Sequence, residues 1–271
     1  MNSELFLYHL HLADNALILG QRNAEWTGHG PVLEQDIAIT NISLDLIGQA
    51  RNFYQQAAQL YNNFSEAEKN QVDAYIPRLW KTFNRELQED DLAYLRDEHQ
   101  FLNLLICELP RGDWAQSVLR QFFFSAYQFF LYDALQHSTD SSLSAIAEKS
   151  LKETTYHLRW SGEWVIRLGD GTEESRQRIL QALADQWMFT GEMFNAASFE
   201  SAVLNGLDKN LSSIHESWNK KIEAVFSEAG LDIPATKWMQ SGGKEGRHTE
   251  YMGYLLPEMQ TLQRTYPNAT W

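Results

Sequence analysis

Residues 34 to 53 read EQDIAITNISLDLIGQARNF, and the way their side chains sort around a helix decides the fold. At 3.6 residues per turn Ala38, Asn41, Asp45, Gly48/Gln49 and Asn52 line up as one stripe, polar for most of its length, while Ile37, Leu44 and Ile47 fall on another, apolar one. A carboxylate within a long helix of this kind belongs to bundle architectures. There it is either a metal ligand or part of a polar core that has outlived the metal. Which of the two Asp45 represents has to be answered by the rest of the chain.

Working outward, Glu4 to Arg22 reads as a helix with Leu7, Leu10, Asp14 and Leu17 on one face, so Asp14 interrupts an apolar stripe. The segment NAEWTGHGP, residues 23 to 31, has the Gly and Pro punctuation of a turn, after which the Asp45 helix runs to about Tyr61, antiparallel to the first. Residues 62 to 90 are polar, with Pro77 and the run Glu89-Asp90-Asp91; they predict short helices or a surface excursion with a solvated charged face. The stretch AYLRDEHQFLNLLICEL, residues 93 to 109, suits a partly buried helix stopped by Pro110-Arg111-Gly112. From Asp113 to His137 nearly every side is apolar, which places that helix at the centre of a bundle or against another protein.

The turn at 138 to 142 leads into a helix reaching Leu168, with Ile146, Ser150, Glu153, His157, Trp160 and Trp164 on one stripe. Thr172 is placed to cap the next helix, Glu173 to Phe194, and another is expected from Asp208 to Ala229. The Gly-rich segment SGGKEGRHTE, residues 241 to 250, precedes a last helix that Pro257 should kink or begin. No hairpin signal or strand alternation competes. The expected fold is all-α, a bundle of long helices with additional C-terminal helices, in a single domain over residues 1 to 271.

A net charge of -14 argues against a nucleic-acid partner, because phosphate binding needs clustered Lys and Arg. The single cysteine, Cys107, lies in the apolar run LNLLICEL and reads as a small buried hydrophobe; with no disulfide framework possible, a reducing, cytoplasmic setting fits. The N-terminus MNSELFLYHLHLADN lacks the basic region of a signal peptide, and no apolar run approaches the ~20 residues that span a bilayer, so no membrane partner is expected.

Inward carboxylates on long helices suggest the di-iron bundles, in which two helices each give a Glu and two others each give Glu-x-x-His. Three residues before the histidines stand Phe6, Tyr8, Trp26, Arg96, Ala134, Thr154, Ser212 and Glu245. Only Glu245/His248 has the spacing, and it lies in the Gly-rich loop. Three residues after Asp45 comes Gly48, and three after Glu153 comes Tyr156, so neither position supplies an imidazole. Glu153 and His157 do share a face. They either form a reduced metal site with Asp14 and Asp45, or satisfy each other in a polar core. Asp133/His137 and Glu25/His29 repeat the i, i+4 spacing at a helix end and in a turn, and read as surface pairs. Lys244 and Arg247, with the glycines and a helix N-terminus, are the ingredients of an anion site such as one for the phosphates of CoA; a plain connection with surface charges is the competing reading, since the loop follows no phosphate-binding spacing.

Four stretches carry a resemblance: LGQRNAEWTGHGPVLEQDIAITNISLDLIGQARNF, YLRDEHQFLNLLICELPRGDW, KETTYHLRWSGEWVIRLGDGT and GGKEGRHTEYMGYLLPEMQTLQR. Together they resemble the C-type structural subunits of bacterial phenylacetyl-CoA epoxidases, from the first helix to the last. The resemblance implies a ferritin-like bundle that has lost its di-iron site and carries no cofactor and no catalytic residue, with Asp14, Asp45, Glu153 and His157 as remnants of the metal site. It further implies a homologous catalytic partner subunit that holds the di-iron centre and epoxidises the aromatic ring with O2, and a reductase that delivers electrons from NADPH. A homodimer of the isolated chain is a further expectation. Two alternatives stay open: a dinuclear-metal oxidase with unusual ligands from Asp14, Asp45, Glu153 and His157, and a helical module that binds acyl-CoA or a protein.

Overall fold

The computed structural model describes residues 2–204, 207, 209–267 and 269. Helix α1 (Asn2–Ala24) and α2 (Leu33–Asn62) are joined by a tight turn in which Gly28 has a positive φ of 79°. A long crossover, residues 63 to 113, then carries the short helices α3 (Glu66–Val72), α4 (Glu89–Tyr94) and α5 (Leu105–Glu108). It delivers the chain to a second long pair, α6 (Trp114–Leu135) and α7 (Ser141–Gly169). Two helix pairs joined by one long crossover is the connectivity of ferritin-like bundles. Helices α8 (Glu173–Gln186), α9 (Ser198–Leu204), α10 (Leu211–Ala229) and α11 (Glu250–Thr265) add a C-terminal layer. The described residues contain no strand and no helix long and apolar enough to cross a membrane.

Local chemistry sets the ends of these helices. Asp113 and Gln116 form a reciprocal capping box at the start of α6, the Asp113 carboxylate accepting from Gln116 N at 3.0 Å and the Gln116 amide oxygen accepting from Asp113 N at 3.1 Å. Asp140 caps α7 through Leu143 N at 2.8 Å, and Thr172 caps α8 as expected. Gly230, with φ 65°, closes α10 in the left-handed conformation that favours glycine. Helices α1 and α6 are buried nearly all round, and one continuous apolar cluster runs from Phe6 of α1 to Met259 of α11. Cys107 is buried in it, and burial raises its thiol pKa well above the usual range.

Several elements depart from the expected pattern. Residues 93 to 109 do not form one helix: α4 ends at Tyr94, residues 101 to 104 are extended, and α5 is a single turn. Leu102 N donates to the Asp14 carboxylate at 2.7 Å, Leu104 N to Asn15 Oδ1 at 2.7 Å, and Leu105 N to Glu192 at 2.8 Å. These side chains take the N–H groups that a helix ladder would have used. The helix expected to reach Phe194 stops at Gln186, and two 3-10 turns follow it, because a returning segment of chain comes down on them. Gln240 N donates to Met188 O at 2.7 Å, and a Cβ on Gly191 would stand 2.5 Å from Met239 Cγ.

The expected start of the next helix, Asp208, lies outside the described residues; α10 begins at Leu211 under an Asn210 cap. Pro257 neither begins nor ends α11, which runs continuously past it from Glu250. The charged run at 89 to 91 is not uniformly solvated, since Asp91 is buried in a bidentate pair with Arg85 at 2.6 and 2.7 Å. The face of α2 also differs. Ile39, Ile42, Leu46 and Phe53 form its buried stripe, while Ile37 and Leu44 point away from the core.

Candidate functional site

Asp14, fully buried on α1, is the focus of one polar cluster. Its carboxylate accepts from Tyr54 OH of α2 at 2.5 Å, from Leu102 N, and from both terminal nitrogens of Arg96, one of them at 3.1 Å. Arg96 is itself fully buried; it also donates to the carbonyls of Leu92 (2.5 Å) and Gln100 (2.8 Å) and stacks 4.1 Å from the Phe101 ring centroid. Burial opposes the guanidinium charge, yet Asp14 and Tyr54 more than offset it and hold the pKa of Arg96 above its ordinary value. A carboxylate with a cation and two further donors on it is a tertiary clamp. It ties the crossover to α1 and α2.

A second cluster fills the middle of the four long helices. Gln49 of α2 donates to Glu153 of α7 at 2.9 Å, while its own amide oxygen accepts from Tyr132 OH (3.3 Å) and Gln128 Nε2 (3.4 Å) of α6. Gln128 also donates to Tyr132 OH at 3.1 Å. Nearer the end of α1, Asn23 donates to Gln121 at 2.7 Å, and Gln121 to Ser125 at 2.7 Å. His157 of α7 has its Nε2 3.0 Å from Asp45 Oδ2; the ring is buried, whereas the Asp45 side chain is 37% exposed at the rim.

The four residues read as one degenerate site are therefore not brought together. Asp14 belongs to Arg96 and Tyr54, Asp45 to His157, and Glu153 to Gln49, so Glu153 and His157 do not satisfy each other either. Each went to a partner from another helix that lay closer than its i, i+4 neighbour. The donor set does not fit a dinuclear metal centre. Where such a centre needs converging carboxylates and imidazoles, the inward positions hold Gln49, Gln121, Ser125, Gln128 and Tyr132, neutral groups that satisfy one another without a cation. Among the described residues no three His, Cys, Asp or Glu side chains converge as ligands. The sequence did carry a signal for this line: Gln121, Ser125, Gln128 and Tyr132 recur at i, i+4, i+7 and i+11 on an otherwise apolar helix.

The Gly-rich loop does bind an anion, but an internal one. The N–H groups of Gly242 and Gly243 donate to one oxygen of the buried Glu192 carboxylate at 2.7 and 2.8 Å, and Leu105 N holds the other. Burial raises the Glu192 pKa against the pull of these donors and of Lys244. Lys244, its side chain only 5% exposed, donates to Glu200 (2.7 Å) and to the Asn195 carbonyl (2.9 Å), which removes it from an anion site facing solvent. Arg247 is exposed and pairs with Glu245 at 2.5 Å.

His248 leaves Glu245 and docks between Glu108 Oε2 (2.8 Å from Nδ1) and the Phe101 carbonyl (3.0 Å from Nε2). Both ring nitrogens face acceptors. Burial lowers the pKa of this ring, but Glu108 and the carbonyl outweigh it, so the pKa is raised. The expected surface pairs do not form: Asp133 takes Lys209, Glu25 takes Arg22 at 2.8 Å, and His29 faces the Thr27 carbonyl at 3.1 Å. In the opposite sense to His248, fully buried His9 has no hydrogen-bond partner among the described residues at either nitrogen, and burial lowers its pKa to about 4.

The family described as phenylacetic acid catabolic protein matches residues 1–271, the whole chain. The chain belongs to this family. A relative from Escherichia coli (strain K12), named as the C-type subunit of 1,2-phenylacetyl-CoA epoxidase, is 41% identical over 270 residues, which cover 99% of this chain and 100% of that protein. In this member of the phenylacetic acid catabolic family, then, the bundle centre is an amide network rather than a set of convergent ligands.

Proposed function

We propose that this phenylacetic acid catabolic family protein is the non-catalytic structural subunit of a multicomponent phenylacetyl-CoA epoxidase, acting in the cytoplasm in aerobic phenylacetate breakdown. It pairs with and stabilises a homologous catalytic subunit that carries the di-iron centre, and a reductase supplies that subunit with electrons. The observation that carries this reading is the Gln49–Gln128–Tyr132 network, with its oxygens and amide hydrogens engaged with one another and with Glu153. A bundle centre that is electrically neutral has no need of a metal to be stable, so the chain can serve as a scaffold on its own. The full-length match to a relative named as a component of the epoxidase supports the same reading.

Co-expression with the catalytic homologue, followed by metal analysis of the complex and of each chain alone, tests it. The expected result is a stable complex whose iron belongs to the partner, with epoxidation unaffected by Asp45→Ala and Glu153→Ala in this chain. Tight, stoichiometric iron or manganese in the isolated chain overturns it.

A further inference from the structure

The outward face of α2 is built for contact with another protein. Leu33 is 72% exposed, Ile37 51% and Leu44 60%, and together they form one helical ridge that continues to Gly48. The ridge is ~22 Å long at 1.5 Å per residue. Tyr156 of α7, 37% exposed, extends it sideways: it lies between Glu153 and Trp160, which reach α2 through Gln49 and Gln35 respectively. Large apolar side chains that line up on one exposed ridge mark interaction sites, whereas scattered ones do not.

Gly48 adds an independent observation. A glycine in the middle of a helix costs about 1 kcal/mol relative to alanine. Nothing inside this chain requires it, because a Cβ built there meets no atom within 4 Å. A helix laid across α2 from outside gains closest approach where a side chain is missing, and interaxial distances of about 8 Å demand small residues at the crossing.

Charge selects the occupant. From Leu33 to Ala50 the helix contains Glu34, Asp36 and Asp45 and no Lys or Arg. A second copy of this chain would set these carboxylates against each other on a protein already carrying a net charge of -14. We infer that the Leu33–Gly48 ridge of α2, with Tyr156 of α7, is the docking surface for a helix of the homologous oxygenase subunit that presents apolar side chains flanked by Lys or Arg and crosses α2 closest at Gly48. This surface rests on the structural-subunit reading and specifies where that subunit meets its partner.

The test is affinity between this full-length chain and the co-purified catalytic subunit for wild type, Ile37→Lys/Leu44→Lys and Gly48→Ala. Because these positions face solvent, thermal melts of the isolated variants should stay at or above the wild-type value, and Gly48→Ala should rise by about 2–4 °C. The double lysine variant is expected to weaken the complex at least ~30-fold and Gly48→Ala roughly tenfold, with wild-type affinity falling as salt is raised. A wild-type complex left intact by both variants overturns the surface and leaves the subunit reading standing. No complex with the wild-type chain overturns both. A wild-type homodimer by light scattering that Leu44→Lys dissolves overturns the choice of occupant.

Discussion

Replacing Asp14 with Asn keeps the volume of the side chain and removes the charge that Arg96 depends on. Both groups are fully buried, and Arg96 directs two nitrogens at the carboxylate. Removing one partner of a buried ion pair costs ~3–5 kcal/mol, because the surviving charge is left without compensation. The new amide NH2 group would also face donors from Arg96, Tyr54 and Leu102, only some of which can turn away. For a domain of this length ~1 kcal/mol corresponds to about 2–4 °C, so the melting temperature should fall by roughly 6–20 °C.

Urea unfolding followed by tryptophan fluorescence, with thermal melts by circular dichroism, measures the loss, and each should be repeated in the presence of a chelator. A clamp loses stability equally with and without chelator; a metal ligand would instead make the chelated wild type resemble the variant. Replacing both groups by apolar residues, Asp14→Leu with Arg96→Met, should recover part of the loss, since no uncompensated charge then remains. An Asp14→Asn variant that melts within ~2 °C of wild type, or a deficit that chelation abolishes, would refute the clamp.

Three further outcomes follow from the same geometry. Gly243→Ala should lose more than ~3 kcal/mol in urea unfolding, because a Cβ there would stand 2.1 Å from the Asn103 carbonyl and force the loop off Glu192. The pKa of His248 is raised above its unfolded value of ~6.5, so its contribution is complete below that pH and is lost as pH rises through the folded value; the stability gap between wild type and His248→Gln should be widest in mild acid and shrink in alkali, and a gap that widens instead counts against the imidazolium. His9 has the opposite sign. With a folded pKa of about 4 it makes the protein lose stability as pH falls from ~6.5 toward that value, by up to ~3 kcal/mol, and His9→Phe should flatten that part of a stability-against-pH profile without harm at neutral pH.

Helix positions and lengths were legible in the sequence because periodicity and capping are local. The stripes of α1 and α7, the Thr172 cap and the all-round apolar character of α6 needed only neighbouring residues. The lack of a mid-helix Glu-x-x-His was equally readable, since that motif is a spacing. Rotation of α2 was not. Its sequence offers two apolar stripes, Ile37 with Leu44 and Ile39 with Ile42 and Leu46, and the periodicity of one helix cannot say which of them meets the rest of the bundle.

The same limit applied wherever a charged or polar side chain chose its partner. Asp14 and Asp45 look alike in sequence, yet one was claimed by an arginine 82 positions away and the other by a histidine 112 positions away. The helix expected over residues 93 to 109 failed because Asp14, Asn15 and Glu192 captured its N–H groups, and the Gly-rich loop found its anion in Glu192. By itself the sequence determined an all-α bundle that lacks the spaced ligands of a metal site. Only the tertiary structure decided which carboxylates are clamps, which amides fill the centre and which apolar ridge is left for a partner, because those choices are made by contacts between residues far apart along the chain.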